Sequence, residues 1–231
     1  MRAICIAASL LATAALLPAD TAQERLRESA NVLSDVMQTP DKGIPQDLLE
    51  KAQCAIVVPN LKKGAFVVGG EYGRGYAICR NASGTGWGAP AAVRVEGGSV
   101  GFQIGGSSTD VIMLVMNRHG MDKLMGDKFT LGADASVAAG PVGRTAEAST
   151  NVRMDAEILA WSRSKGLFAG LSLGGATLRP DKDVNHELYG RDVTNREILA
   201  GEAKRPSGGN ELAAVLDKYS MAGQPNAERK R

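Results

Sequence analysis

Apolar residues recur at helical spacing only near the two ends of the chain, and the long middle alternates or runs apolar in short bursts. Leu26, Ala30, Leu33 and Met37 fall at steps of four, three and four, which predicts a helix over 21–37 with one apolar face. Thr21 is a suitable N-cap and Glu24 stands three residues on, the arrangement of a capping box. The Pro40-Asp41-Lys42-Gly43 stretch stops this helix. Pro45 then opens a shorter one, Gln46 to Gln53, at the first helical position where proline is tolerated, with Leu48, Leu49 and Ala52 apolar.

After Cys54 the pattern is that of strands. Segments 55–58, 65–72, 75–80, 91–95, 99–104 and 109–116 are short and lie between clusters of Gly, Pro, Asn or Ser. The run Asp110-Val-Ile-Met-Leu-Val-Met116 predicts a strand buried on both faces. A short helix is expected from His119 to Gly126, then strands at 129–139, 142–150, 155–163 and 167–178. Helices return at 183–189, 194–202 and 210–221. The fold class expected is α+β: a Gly-rich, mostly antiparallel sheet or barrel-like core with helices at the N- and C-terminal ends.

Composition sharpens this picture in two places. Glycine is high, 28 of 231 residues, without a collagen period, so the glycines must serve turns, bulges or close strand packing. Charge is nearly balanced, with 27 Lys+Arg against 25 Asp+Glu. Neither a polybasic nucleic-acid binder nor an acidic disordered tail has that balance. The start of the chain reads as an address. Arg2 precedes an uncharged, largely apolar run from Ala3 to Leu17, too short for a membrane span, and Pro18-Ala19 suggests cleavage after Ala19 or after Ala22. The expected organisation is a signal peptide at 1–19, a domain at 20–205, and a C-terminal helix with a basic tail at 206–231. An exported protein, periplasmic or secreted, is the consequence.

Export changes the reading of Cys54 and Cys79, the two cysteines beyond the leader. They are an even number in an oxidising compartment, each beside a strand-like run, and a bridge would close a 26-residue loop. Such a loop is worth about 3–4 kcal/mol. Two buried free thiols are the alternative.

Catalytic signatures fail on context. The string G-x-S-x-G occurs around Ser99 and around Ser172, but a nucleophile elbow needs a helix directly after the serine, and both serines are followed by strand-like sequence. His119 and His186 sit in polar, helical surroundings and read as surface histidines. No Cys, His, Asp or Glu spacing fits a metal, and no cofactor is implied. Gly69-Gly-Glu-Tyr-Gly-Arg-Gly75 lacks the Lys-Ser/Thr of a phosphate loop and reads as a Gly-rich hairpin.

Small basic groups beside Gly-rich turns remain: Lys62, Lys63 and Arg74 at the first hairpin, Arg163 and Lys165 before Gly166. These five are the candidate contacts for an anionic surface. Each is worth about 1 kcal/mol at an anionic membrane, so four give only about millimolar affinity. Useful binding needs apolar insertion or multivalency as well.

The order of strings along the chain resembles the SYLF domain family, a module described as binding phosphoinositides and, in a yeast member, actin. The matching stretches include Ile44-Pro45, Lys63-Gly-Ala-Phe-Val-Val-Gly-Gly-Glu-Tyr-Gly-Arg-Gly75, Trp87-Gly-Ala-Pro90 and Gly97-Gly-Ser-Val-Gly-Phe-Gln-Ile-Gly105. They continue through Gly132 to Arg144, Ser162 to Gly170, and Asn185 with Tyr189-Gly190. The resemblance implies lipid or surface binding without catalysis, in a secreted bacterial-type member. Eukaryotic members use a basic N-terminal helix for lipid, whereas here that helix carries Glu24, Arg25, Arg27, Glu28 and Asp35. The leading expectation is a non-enzymatic exported module on anionic phospholipid or an envelope surface. A self-associating or protein-binding domain without a lipid ligand is the first rival and a serine hydrolase the last. Actin is an implausible partner for an exported chain, and the oligomeric state is not legible.

Overall fold

The computed structural model describes residues 21–39, 43–66, 68–100, 105–143, 156–164, 167–171 and 173–220. The leader, Lys165 and Ser172 lie outside the described residues. Helix α1, Ala22–Gln38, starts at a complete capping box: the Glu24 N–H donates to Thr21 Oγ1 at 3.2 Å and the Thr21 N–H to Glu24 Oε2 at 2.9 Å. Its buried stripe includes Leu26, Ala30, Leu33 and Val36. Helix α2 runs Gln46–Lys51, and Pro45 is its N-cap rather than its first residue.

One long hairpin forms the centre, strands β1 (Cys54–Phe66) and β2 (Val68–Cys79), flanked by β3 (Ala91–Val100) on β2 and by β4 (Gly105–Val115) on β1. Helix α3 (Arg118–Leu124) follows, then β5 (Phe129–Thr130), β6 (Val137–Ala139), β7 (Ile158–Ser164), β8 (Leu167–Gly170) and β9 (Thr177–Pro180). The chain closes with α4 (Lys182–Tyr189), α5 (Asn195–Leu199) and α6 (Gly209–Tyr219). The strands form one curled, half-barrel sheet in the order β5-β9-β3-β2-β1-β4-β7-β6, with β8 also on β7. Every pairing is antiparallel except β6 with β7. The α+β expectation is met.

Both faces of the sheet are covered. On one, which we call the helix face, α1, α2, α4 and α6 pack over Ala55, Val57, Tyr76, Ile78, Ile112, Leu114 and Trp161. On the other, residues of α3 and α5 and the loops around Leu131 and Leu173 cover Ile56, Val58, Val93, Met113 and Ile158. Val111 to Val115 are therefore buried throughout, as their continuous apolar run predicts. Helix α6 belongs to this core: the indole N–H of Trp87 donates to Ser220 Oγ at 2.8 Å, just past the helix end.

Several expected short strands are parts of longer ones. Gly69 to Gly75 is not a turn but the middle of β2; the reversal comes between Phe66 and Val68. Gly73 and Gly75 answer to a bulge in β1. Asn60 takes a positive φ of 52°, the register of β1 slips between Val57 and Lys62, and Val58 and Leu61 fold over Gly73. A Cβ on Gly75 would stand 2.0 Å from the Val57 carbonyl oxygen. Close backbone approach, rather than chain reversal, requires glycine there. The expected strand at 129–139 is two short strands, and that at 167–178 divides into β8 and β9.

Candidate functional site

Beyond the reach of the covering helices, the four central strands carry a polar stretch of the helix face. Cross-strand register places Ser108, Lys62, Tyr72 and Glu96 side by side across β4, β1, β2 and β3. One step closer to the helices, Arg74, Arg94 and Arg179 are directly opposed across β2, β3 and β9. Like charges opposite one another repel, so the ladder needs acids. Glu96 supplies one, with Oε1 at 2.9 Å from Arg94 Nε and Oε2 at 3.2 Å from Arg179 Nε. Asp181, only 1% exposed, supplies the other at 2.9 Å from Arg74 Nε, at ion-pair distance but without hydrogen-bond alignment. Partial burial works against the charge on Arg74, yet Asp181, the Tyr72 hydroxyl and Asp183 outweigh it and hold its pKa above the ordinary arginine value. Exposed Lys62 stands one row further out on the same face.

The five residues singled out from sequence divide. Lys62 is exposed and shares the helix face with Tyr72 and Arg74. Lys63 points to the opposite face, where its Nζ pairs with Glu71 at 2.9 Å. Arg163 sits on the helix face, two strands from Lys62, and clamps elements together: its guanidinium meets Asp35 of α1 at 2.8 Å and Asp110 of β4 at 2.9 Å. Burial opposes that charge, but the two carboxylates raise the pKa of Arg163. Lys165 lies outside the described residues. Arg94 and Arg179, absent from the sequence reading, stand beside Arg74 because of strand register. Only the β2–β3 alternation of Arg74 and Arg94 hinted at it.

Arg80 is a structural cap. It donates to the carbonyls of Leu49, Glu50 and Ala52, each at 3.0 Å, and lies 4.5 Å from the Trp87 ring centroid. Cys54 and Cys79 are paired across β1 and β2, with Cα atoms 3.9 Å apart and their sulfurs bonded. That separation lies within the under-7 Å reach of a bridge.

The backbone gives the G-x-S-x-G strings no elbow at Ser99, which lies inside β3 opposite Gly69. His119 contacts Glu157 and His186 lies 2.9 Å from Asp192; both histidines are solvent-facing. Among the described residues no cluster of His, Cys, Asp and Glu could hold a metal, and no helix is long and apolar enough to cross a membrane.

The fold is thus a curled, mostly antiparallel sheet covered by helices, with a row of arginines beside an exposed tyrosine. Residues 96–219 match the family model described as "Ysc84: Las17-binding protein actin regulator", so the chain belongs to the Ysc84, or SYLF, family. It is 34% identical over 217 residues to the cattle (Bos taurus) SH3 domain-containing YSC84-like protein 1, covering 91% of this chain and 62% of that protein. To the protein of the same name from Xenopus laevis it is 36% identical over 183 residues, 78% of this chain and 54% of the other. The Saccharomyces cerevisiae protein LAS seventeen-binding protein 3 is 34% identical over 190 residues, 80% of this chain and 41% of the other. The chain thus spans about half of the length of these relatives. The family description names binding and regulation, and no reaction.

Proposed function

We propose that this chain is a non-enzymatic, exported binding module that docks on anionic phospholipid, at a membrane or another envelope surface. The observation that carries this reading is the arginine ladder Arg74, Arg94 and Arg179 with Lys62 and Tyr72 beside it. Guanidinium groups recognise phosphate oxygens, and three of them in a row beside an exposed lysine suit an anion-facing surface. Lys63, paired with Glu71 on the opposite face, and Arg163, clamped between Asp35 and Asp110, stand apart from this ladder. The cross-strand Cys54–Cys79 pair supports an oxidising destination, and mass spectrometry of the N-terminus after expression in an exporting host tests the leader. A mature chain beginning at Asp20 or Gln23 is expected; an intact Met1 or Arg2 would sink export.

The binding experiment is co-sedimentation with phosphatidylcholine vesicles, with and without phosphatidylglycerol, at two salt concentrations. Binding should require the anionic lipid and weaken with salt. Lys62→Glu with Lys63→Glu should reduce it relative to Arg229→Glu with Lys230→Glu. If that pair does not differ from the control, the basic surface is wrong. The family's printed description favours a second reading, a protein-binding module without lipid. Vesicle-independent capture by filamentous actin would support that reading.

A further inference from the structure

Resting on the lipid reading, we infer that Glu96 is a placeholder in a phosphate site. A terminal phosphate displaces its carboxylate from between Arg94 and Arg179 and takes both guanidinium groups. Register brings these side chains together: Arg94 of β3 lies between Arg74 of β2 and Arg179 of β9, with Glu96 one row further out on the same face. The Glu96 carboxylate is divided between two arginines, with Oε1 at 2.9 Å from Arg94 Nε and Oε2 at 3.2 Å from Arg179 Nε. Neither contact is a hydrogen bond. Both Nε atoms are buried, and among the described residues neither N–H has an acceptor in line. A buried donor without an acceptor is costly and calls for an explanation.

The chemistry of the two guanidinium groups supplies one. Each recognises an oxyanion through parallel N–H donors lying in one plane. The Glu96 carboxylate is a single plane with a pair of oxygens, and shared between two arginines it aligns with neither Nε. A phosphate monoester carries three acceptor oxygens in a tetrahedral arrangement and a charge of about −1.5 to −2 at pH 7. It can give each guanidinium an oxygen of its own. A phosphodiester, with a pair of free oxygens and a single charge, offers no more than Glu96 already does. The site thus selects terminal phosphates, on a lipid headgroup or on a small molecule, over diester headgroups such as phosphatidylglycerol.

Exposure decides which acid gives way. The Glu96 side chain is 38% exposed, so water screens its ion pairs and it swings out at little cost. Asp181, 1% exposed, has no such exit and stays against Arg74. The Nε of Arg74 is further held by the Tyr72 hydroxyl, which accepts from it at 2.8 Å. Arg74 therefore frames the site without entering it. Arg94 and Arg179 are both partly exposed, which leaves them a side open to a ligand.

The test uses the full chain and phosphatidylcholine vesicles carrying either phosphatidic acid or phosphatidylglycerol, matched in surface charge. Glycerol phosphate, followed by calorimetry, is the soluble monoester. The wild type should prefer phosphatidic acid. Glu96→Gln keeps the shape but removes the competing charge, and should tighten binding to phosphatidic acid about fivefold, the worth of one charge at a membrane surface. Arg179→Lys keeps the net charge but removes one planar set of donors, and should abolish the preference while leaving binding to phosphatidylglycerol unchanged. Thermal unfolding reports whether both variants fold; should Arg179→Lys fail to, the Glu96→Gln comparison decides alone. Equal binding to the two lipids, unmoved or weakened by Glu96→Gln, would overturn this site and leave the lipid reading standing. Glycerol phosphate bound more tightly by Glu96→Gln, with no vesicle binding, would sink the lipid reading and support the site for a free phosphate ester. Failure of the wild type and of Glu96→Gln to bind either vesicle or the ester would sink both.

Discussion

Asn185 donates from its Nδ2 to Asn195 Oδ1 across 2.6 Å, and the two buried amides together take both backbone groups of Ala92. The Ala92 N–H donates to Asn185 Oδ1 at 2.8 Å, and Asn195 Nδ2 donates to the Ala92 carbonyl at 3.1 Å. Strand β9 ends at Pro180, opposite Val93, and past it the chain gives Ala92 one backbone bond, from the Asp181 N–H to the Ala92 carbonyl at 3.0 Å. Two side chains stand in for the rest of the strand and tie α4 and α5 to the sheet. Asp181, whose carboxylate faces Arg74, follows β9 directly, so the same joint holds that acid against the ladder.

Removing one amide should therefore be costly, because it leaves buried partners without hydrogen bonds. Asn185→Ala is expected to lower stability by about 2–4 kcal/mol, the sum of lost bonds and stranded groups. Urea unfolding measures this, and the slope should match the wild type. A loss below about 1 kcal/mol would show that water or a local shift replaces the amide.

The Cys54–Cys79 pair gives a second expectation. Thiol titration of the unfolded, unreduced protein, from which the leader has been removed, should find no free groups. Reduction should then lower stability by about 3–4 kcal/mol, the entropy of the closed loop. Two titratable thiols would contradict the bridge and weaken the argument for an oxidising destination.

Much of this architecture is legible in the sequence because local chemistry dictates it. Thr21 and Glu24 announce the start of α1, and the apolar run after Asp110 announces a strand with two covered faces. The segments misjudged are those where distant strands decide. Nothing local shows that Gly75 faces the Val57 carbonyl, so seven residues rich in glycine look like a turn while forming the middle of a strand. The arginine ladder is hidden for the same reason, since Arg94 and Arg179 become neighbours only through register. Arg163 looks like a free cation in the sequence. Its two carboxylate partners come from α1 and β4, 128 and 53 residues away.

The two kinds of glycine should respond oppositely to alanine. Gly75→Ala places a Cβ against backbone that cannot retreat, and a loss of several kcal/mol or failure to fold is expected. Gly98→Ala meets open space and lies in extended backbone, so it should leave stability unchanged or raise it by about 0.4–1 kcal/mol through the unfolded chain. Thermal unfolding of both variants decides this. Equal destabilisation by the two would mean that Gly98 is packed against something in the folded protein.

The last expectation concerns acid. Glu157 accepts the Ser136 N–H at 2.8 Å and lies against His119, between the start of β7 and the loop before β6. Partial burial favours its neutral form, but the Ser136 backbone bond and His119 outweigh that and hold its pKa below the ordinary 4.5. A carboxylate whose folded pKa is depressed contributes stability that is present above its unfolded pKa. That contribution disappears as the pH falls through the folded value. Stability should thus be level in this respect above about pH 5 and decline as acid protonates Glu157 below the ordinary carboxylate range. Glu24 and Glu197, held low by their capping threonines, decline in the same window. Glu157→Gln should therefore make the acid limb shallower without abolishing it. Urea midpoints from pH 7 down to about pH 3, measured for both proteins, give the comparison. If the two curves run parallel, the Ser136 and His119 contacts do not favour the charged carboxylate.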